Sequence, residues 1–198
     1  MPRKFFPFLL STLLSAVSFC CAPKPKPPVD PPKNFFEAPQ SYPAFDGTIA
    51  FDFIERQVAF GPRVPNSKAH DDCQRFIVRE LEHAGAKVRL QQFNFPGYDN
   101  TQLALTNVLA SFHPERTTRI MLCAHWDSRP WADEEENRTF HSQPIVGAND
   151  GASGVAVLLT LAKIFRENPL PIGVDMVFFD GEDYGKKDDI NLYCIGSK

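Results

Sequence analysis

The stretch RIMLCAHWD, residues 119–127, contains six mostly apolar residues that run directly into a histidine and an aspartate. A second stretch of the same kind, VDMVFFDGED, occupies residues 174–183. Near-continuous apolar runs of this length predict strands that are buried on both faces. Between them, residues 151–166 form an apolar helix that ends at Asn168-Pro169. Strand, helix and strand in this order predict an α/β fold with a mainly parallel centre.

Two further helices are predicted before these elements. Residues 49–58 have helical apolar spacing, and residues 66–84 form a longer helix that Gly85 stops. Asn66 or Ser67 can cap the start of the longer helix. The residues predicted to form its apolar stripe are Phe76, Ile77 and Leu81.

Two more strands complete the pattern. Residues 87–95 alternate between polar and apolar side chains, and residues 106–112 form a second extended segment. The fold class predicted for residues 46–198 is therefore α/β, with a mixed, mainly parallel central sheet sandwiched by helices.

Residues 1–22 have the features of an export signal. Arg3 and Lys4 precede an uncharged, mostly apolar stretch that is shorter than the roughly 20 residues a membrane-spanning helix needs. A short membrane anchor is the alternative. The stretch ends at Cys20 and Cys21, which predicts a lipid anchor on one of them, although cleavage after Ala22 without lipid stays open. We therefore expect an exported protein, periplasmic or at the cell surface and lipid-anchored.

Residues 23–45 are rich in proline, which prevents helix and sheet hydrogen bonding and favours an extended chain. We interpret them as a linker between the export signal and the folded domain. A disordered leader resembling a propeptide is the alternative interpretation.

Charge and cysteine spacing limit the partners and sites. The net charge of −3 and the lack of a basic patch argue against nucleic acid as a partner. Beyond the leader only Cys73, Cys123 and Cys194 remain, and no two of them have the CxxC spacing of a thiolate zinc site.

Three groups of acidic or histidine residues follow the predicted elements. His125 and Asp127 come directly after one strand, Asp150 precedes the 151–166 helix, and Glu182 and Asp183 follow the last strand. Ligands of open α/β sheets bind at the carboxyl ends of the strands. Two residues apart on extended chain, Asp127 can orient the imidazole of His125. Carboxylates with an imidazole suit zinc, so these groups predict a zinc site.

Each group alone has a simpler interpretation. His125 and Asp127 could form a hydrogen-bonded turn, Asp150 could be a helix cap, and Glu182-Asp183 could be a solvated loop. All three simple interpretations would have to hold together, at three places where a site is expected. The combination therefore favours the metal site.

Three blocks of the sequence resemble those of the zinc aminopeptidase/glutaminyl cyclase superfamily, and they are most similar to bacterial glutaminyl cyclases. The blocks are LCAHWDSRPWAD at 122–133, PIVGANDGASGVAVLLTLA at 144–162 and GVDMVFFDGEDYG at 173–185. FDFIERQVAFGPRVPNS, residues 51–67, resembles the opening segment of the same group. The resemblance implies a zinc exopeptidase-like (phosphorylase/hydrolase-like) fold.

The resemblance also implies roles for the five candidate residues. Asp150 and Asp183 match metal-ligand positions, and Glu182 matches the catalytic general base and acid. His125 matches a ligand of the second metal in two-zinc peptidases, whereas it corresponds to a pocket residue in single-zinc cyclases. Asp127 matches the acidic residue that steers this histidine. The implied cofactor is Zn²⁺, one ion in a cyclase and two in an aminopeptidase.

Members of the superfamily carry a further histidine ligand and an aspartate well downstream, for which this sequence has no counterpart before Lys198. We therefore expect the sequence to be the N-terminal part of a domain that is incomplete at its C terminus, with at least one ligand missing. On its own, such a part is expected to aggregate and to have little activity.

The function implied is conversion of an N-terminal glutamine to pyroglutamate with release of ammonia, by a glutaminyl-peptide cyclotransferase acting on peptides or proteins with a free N terminus. A zinc aminopeptidase and a non-catalytic binding module are the alternatives. Trp126, Trp131 and Arg129 surround the HxD pair and are predicted to wall a substrate pocket, which favours the cyclase. Packing within a turn is the alternative for the two tryptophans.

The remaining candidates are given structural roles. Asp180 is predicted to shape the turn before Gly181. The histidines predicted to lie at the surface are His70, His83, His113 and His141.

Overall fold

A computed structural model describes residues 42–185 and 189–198. The predicted export signal and nearly all of the predicted linker therefore lie outside the described residues. The helices and strands, in chain order, are α1 (Gly47–Val58), α2 (Lys68–His83), β1 (Lys87–Pro96), β2 (Gln102–Phe112), β3 (Arg119–His125), α3 (Gly154–Glu167) and β4 (Gly173–Phe179). In the part of the chain that the structure describes, no helix is long and apolar enough to cross a membrane.

The four strands form one mixed sheet in the order β1-β2-β4-β3. This confirms the predicted α/β class with a mixed central sheet. The β3–β4 pair is parallel, whereas β1–β2 and β2–β4 are antiparallel. Among the described strands the sheet is thus less parallel than predicted, because the short turn at residues 97–101 makes β1 and β2 a hairpin, and hairpin strands must run antiparallel.

The three helices pack on one face of this sheet. Alternate residues of β2 and β4, such as Val108 and Met176, point into a core shared with the helices. Met121 and Asp175 lie on the opposite face, where the Met121 side chain is 63% exposed. Within the described residues the sheet is therefore covered by helices on one side, not sandwiched as predicted.

The position of β3 also corrects a prediction. The apolar run of β3 predicts burial on both faces, but Ile120 is 43% exposed and Cys123 is exposed as well. The reason is that β3 forms an edge of the described sheet, whereas β4 lies between two strands and is mostly buried.

The ends of α2 are determined by local chemistry. Ser67 Oγ accepts a hydrogen bond from the backbone N–H of His70 at 3.1 Å, so Ser67 is the cap of the two predicted candidates. Asn66 instead pins the helix start to β2, donating to the carbonyl of Gln102 and accepting from the N–H of Ala104. Gly85 follows the helix with φ +84°, a left-handed conformation that glycine adopts without strain.

The predicted stripe of α2, namely Phe76, Ile77 and Leu81, is fully buried and so confirmed. Replacing Ile77 with alanine should lower the free energy of unfolding by about 2–5 kcal/mol, because the substitution removes buried methyl groups and leaves a cavity. Urea unfolding followed by circular dichroism measures this loss. The matched control is Ile190→Ala, since Ile190 is 84% exposed and should change stability by less than about 0.5 kcal/mol. Equal losses from the two substitutions would contradict the packing described for α2.

Candidate functional site

The candidate site lies at the carboxyl ends of the parallel strands β3 and β4. His125 ends β3 and pairs in register with Phe179, which ends β4. The segments that follow, residues 126–129 and 180–183, therefore leave the sheet at the same edge. Asp150 reaches this edge from the turn before α3.

Asp127 joins the two segments. Its carboxylate is fully buried and accepts the backbone N–H of Glu182 at 3.1 Å and that of Asp183 at 3.2 Å. Asp127 Oδ1 also lies 3.4 Å from His125 Nδ1. Asp127 is thus placed to orient both the imidazole and the loop that carries the two acidic residues.

His125 contacts the other carboxylates. Its Nε2 lies 2.7 Å from Asp150 Oδ1, and its Nδ1 lies 4.0 Å from Glu182 Oε2. Burial alone lowers the pKa of His125, but the hydrogen bond and charge of Asp127, together with the charges of Glu182 and Asp150, raise it overall to about 9. The imidazole is therefore protonated at neutral pH and offsets part of the negative charge of the cluster.

Asp183 is bound by an arginine. Its Oδ1 accepts a hydrogen bond from Arg129 Nη1 at 3.0 Å, and the same guanidinium donates to both oxygens of Asp133 at 2.7 and 2.6 Å. Burial raises the pKa of Asp183 to about 6, with Arg129 opposing the rise and the nearby carboxylates of Asp150 and Asp127 adding to it. Because burial disfavours the charged form of Asp183, a cation close to this carboxylate stabilises that form.

The donor types present suit zinc, but they form only part of a ligand set. Arg129, Asp150, Asp183 and Tyr193 line one cleft of about 300 Å³. Within the described residues, however, no three His, Cys, Asp or Glu side chains are grouped closely enough to hold a metal ion. Asp183 is engaged by Arg129 and Asp150 by His125, so the groups that would bind an ion are paired with protein cations instead. Carboxylate and imidazole groups are zinc ligands in proteins, so the residue types present fit zinc.

Arg63 holds two segments of the site in place through hydrogen bonds to their backbone carbonyls, and this role was not predicted. The side chain has no exposed surface and donates to the carbonyls of Trp126 at 3.1 Å, Val146 at 2.6 Å and Gly147 at 2.7 Å. The segments leading to Asp150 and following His125 are thereby held together. A charged residue inside the otherwise uncharged stretch FGPRVP was the only signal in the sequence.

Trp126 and His70 correct two predictions. Trp126 is fully buried and its indole donates to the carbonyl of Thr106 at 3.2 Å, so it packs in the core and does not wall a pocket. His70 stacks on Trp126 with ring centroids 4.1 Å apart and is only 3% exposed, so it is not a surface histidine. The reason is a buried partner, Asp180, whose Oδ1 lies 2.8 Å from His70 Nε2. The other three histidines are exposed or partly exposed, in line with the prediction: His83, His113 and His141.

The other two pocket candidates lie beside the cleft. Arg129 lines it directly. Trp131 is partly buried and meets Tyr98 and Tyr184 edge-on, with centroids 5.0 and 5.3 Å away. The Arg129 guanidinium lies 5.8 Å from the Trp131 ring centroid, so Trp131 supports Arg129.

The segment 194–196 supports the acidic loop from its other side. Its backbone N–H groups donate in turn to the carbonyls of Glu182, Gly181 and Asp180 at 2.8, 3.1 and 3.0 Å. Cys194 also lies close enough for its Sγ to donate to Glu182 Oε1, at 3.2 Å. Asp180 forms the turn predicted for it, since its Oδ1 accepts the N–H of Gly181 at 2.8 Å.

Comparisons with known proteins find relatives of known family. Residues 107–198 match peptidase family M28. A crystal structure of Tannerella forsythia glutaminyl cyclase is 44% identical, with a TM-score of 0.77 over 78% of this chain and 55% of that one. A Zn-dependent exopeptidase from Parabacteroides distasonis is 41% identical, with a TM-score of 0.77 over 79% of this chain and 56% of the other.

Among curated proteins, a glutaminyl-peptide cyclotransferase from Drosophila melanogaster is 28% identical over 138 residues, which are 65% of this chain and 36% of the relative. The chain thus spans about half the length of the solved structures and about a third of this curated relative. The residues that match the family, 107–198, include both strand ends and the turn before α3. The chain therefore belongs to the zinc aminopeptidase/glutaminyl cyclase superfamily, in which its residues 107–198 match peptidase family M28.

Proposed function

We propose that the full-length protein is a zinc-dependent glutaminyl-peptide cyclotransferase, which converts an N-terminal glutamine of a peptide or protein to pyroglutamate and releases ammonia. The observation that carries the proposal is that Glu182 Oε2 lies 4.0 Å from His125 Nδ1, next to a cleft that Asp150 and Asp183 line. Similarity to glutaminyl cyclases at 44% identity supports this choice of reaction.

In this reaction the α-amine of the substrate attacks its own γ-carbonyl carbon. The new C–N bond closes a five-membered ring, and the bond to the amide nitrogen breaks. Glu182 takes a proton from the attacking amine and gives it to the departing ammonia. Because nucleophile and carbonyl belong to one residue, the attack is intramolecular and needs no water.

Asp150 and Asp183 are the residues that would hold the zinc ion, and bound zinc supplies a Lewis acid that polarises the γ-carbonyl oxygen. We propose a single ion, with His125 as a pocket residue, because both of its ring nitrogens already face carboxylates of this chain. Arg129 orients the Asp183 carboxylate. Asp127 holds Glu182 through its backbone N–H, so the Glu182 carboxylate is not needed to fix the loop and is assigned to proton transfer.

A zinc aminopeptidase is the second candidate, supported by the match to peptidase family M28 and by the similar zinc-dependent exopeptidase. The same Glu182 would then activate a water molecule against the first peptide bond. His125 would serve as a ligand of a second ion. The assignment of Glu182 as the proton-transfer residue is common to both candidates.

Two peptides distinguish the candidates. The full-length gene product, supplied with zinc, is given one peptide that begins with glutamine and one that begins with leucine, and ammonia and free amino acids are measured separately. The cyclase releases ammonia from the first peptide and no leucine from the second. Free leucine without ammonia would establish the aminopeptidase and contradict the proposal.

Replacing Glu182 with glutamine should lower kcat by at least about 100-fold, because the amide cannot carry the proton. Zinc content, measured by atomic absorption, should stay unchanged, since the carboxylate is assigned to proton transfer and not to ligation. Glu115→Gln is the matched control, because the Glu115 side chain is 67% exposed and pairs with His113 and Arg116 away from the cleft. Loss of zinc from Glu182→Gln would show that Glu182, and not Asp183, is the ligand.

Replacing Asp127 with asparagine should lower kcat/KM about 10–100-fold, the usual effect of losing a residue that orients a metal-site histidine. In asparagine an NH2 group replaces one of the two carboxylate oxygens, so it would face the backbone N–H of either Glu182 or Asp183. Two donors would then face each other without an acceptor, and their repulsion would displace the loop. Asp175→Asn is the control, since Asp175 pairs with Arg119 on the open face of the sheet. Equal kinetics for the two variants would rule out the orienting role.

We also propose that the protein is exported and lipid-anchored through Cys20 or Cys21, because a charged start precedes an apolar stretch that ends in these cysteines. Mass spectrometry of the protein from a native-like host should find a diacylglyceryl group on one of them. A soluble product that retains Met1 would contradict export.

A further inference from the structure

We infer that His70 is a positioning residue for the loop 180–183, acting through a buried hydrogen bond to Asp180. This inference rests on the proposed function only in that the same loop carries Glu182 and Asp183. His70 lies on α2, far from the strand ends in sequence, and touches none of the candidate ligands.

The contact is buried on both sides. The side chain of His70 is 4% exposed and that of Asp180 has no exposed surface, while Nε2 and Oδ1 are 2.8 Å apart. Burial raises the pKa of Asp180 to about 6, and the hydrogen bond and charge of His70 oppose that rise. A carboxylate at this depth stays charged only while its oxygens accept hydrogen bonds, so each donor to it restricts where it can lie.

Besides the bond from His70, Asp180 makes four hydrogen bonds, which connect it to the loop, to β2 and to the segment 194–196. Its Oδ1 accepts the N–H of Gly181 at 2.8 Å as well as the bond from His70, and its Oδ2 accepts the N–H of Thr106 at 2.6 Å. Its own backbone N–H donates to Asn107 at 2.9 Å, and its carbonyl accepts from Gly196 at 3.0 Å. Any displacement of Asp180 therefore moves the start of the segment that leads to Glu182.

A face of the His70 ring contacts the other site segment. The ring stacks on Trp126 at a centroid distance of 4.1 Å and an angle of 26°. Trp126 stands between His125 and Asp127 in sequence, and its backbone N–H donates to Phe179 at 3.0 Å. His70 thus contacts the segment that follows β3 through a face of its ring, and the carboxylate that begins the loop after β4 through Nε2 at the edge of the ring.

A purely structural histidine would affect stability alone, whereas a positioning histidine also sets how well the two acidic residues converge on an ion and a substrate. The two roles are separated by comparing His70→Phe with His70→Gln. Phenylalanine retains the stacking on Trp126 but has no donor for Asp180. Glutamine can carry an N–H to about the position of Nε2 and so restores the hydrogen bond.

The experiment measures the zinc dissociation constant by chelator competition, and kcat and KM on whichever peptide the wild-type full-length protein turns over. We expect His70→Phe to weaken zinc binding at least about tenfold and to lower kcat at least about tenfold with KM changed less than about threefold. His70→Gln should return both zinc affinity and kcat to within about threefold of wild type.

Phe76→Leu is the matched control, because Phe76 is buried on the same helix but packs against Phe53 and Phe60. Urea unfolding shows whether its stability loss is comparable to that of His70→Phe. The inference would be overturned if Phe76→Leu and His70→Phe lowered zinc affinity equally. It would also be overturned if His70→Gln did not restore zinc affinity. If His70→Phe does not fold, His70→Asn takes its place, since its amide is too short to reach Asp180 and the same loss is expected.

The zinc measurement keeps this inference separate from the proposed reaction. If the wild-type protein cleaves the leucine peptide instead of cyclising glutamine, the cyclase proposal fails. The His70 variants are then compared by their aminopeptidase activity and zinc affinity, so the inference is still tested. If zinc affinity does not depend on His70 although the cyclase reaction occurs, the inference fails and the proposed function stands.

Discussion

A guanidinium with no access to solvent, that of Arg63, donates to three backbone carbonyls that belong to two separate segments. Removing such a charge from water costs several kcal/mol, which the protein must recover through hydrogen bonds and through the neighbouring charges of Asp127 and Asp150. The geometry leaves little freedom at Gly147, where a Cβ atom would come within 2.8 Å of Arg63 Nη2. The segment after β3 and the segment before α3 are both hydrogen-bonded to the Arg63 side chain. The approach of Asp150 to His125 therefore depends on Arg63.

The other half of the site depends on the parallel pairing of β3 and β4. That pairing brings the segment 180–183 alongside the segment 126–129, and Asp127 then fixes their separation through two backbone N–H groups. Gly151 allows the start of α3 to approach the same place, since a Cβ there would lie 2.7 Å from the His125 ring. Sheet pairing, a buried carboxylate and a glycine together bring residues from three parts of the chain into one cleft.

Sequence periodicity was enough to predict the helices and the strands, and it placed His125 and the acidic residues 182 and 183 after the ends of two strands, β3 and β4, which share an edge of the sheet. It was not enough for His70 and Trp126, whose burial depends on Asp180 and Thr106, residues that no local pattern connects to them. It also failed for β3, since exposure of an apolar strand depends on its neighbours in the sheet and not on its own composition. Tertiary partners, not propensities, decide these positions.

Asp127 holds the acidic loop by its main chain, and this has a consequence for how such proteins diversify. Anchoring through N–H groups is indifferent to the side chains that the loop carries, so residues 182 and 183 can be exchanged while the path of the chain is preserved. A scaffold of this kind separates the problem of placing a reactive group from the choice of that group.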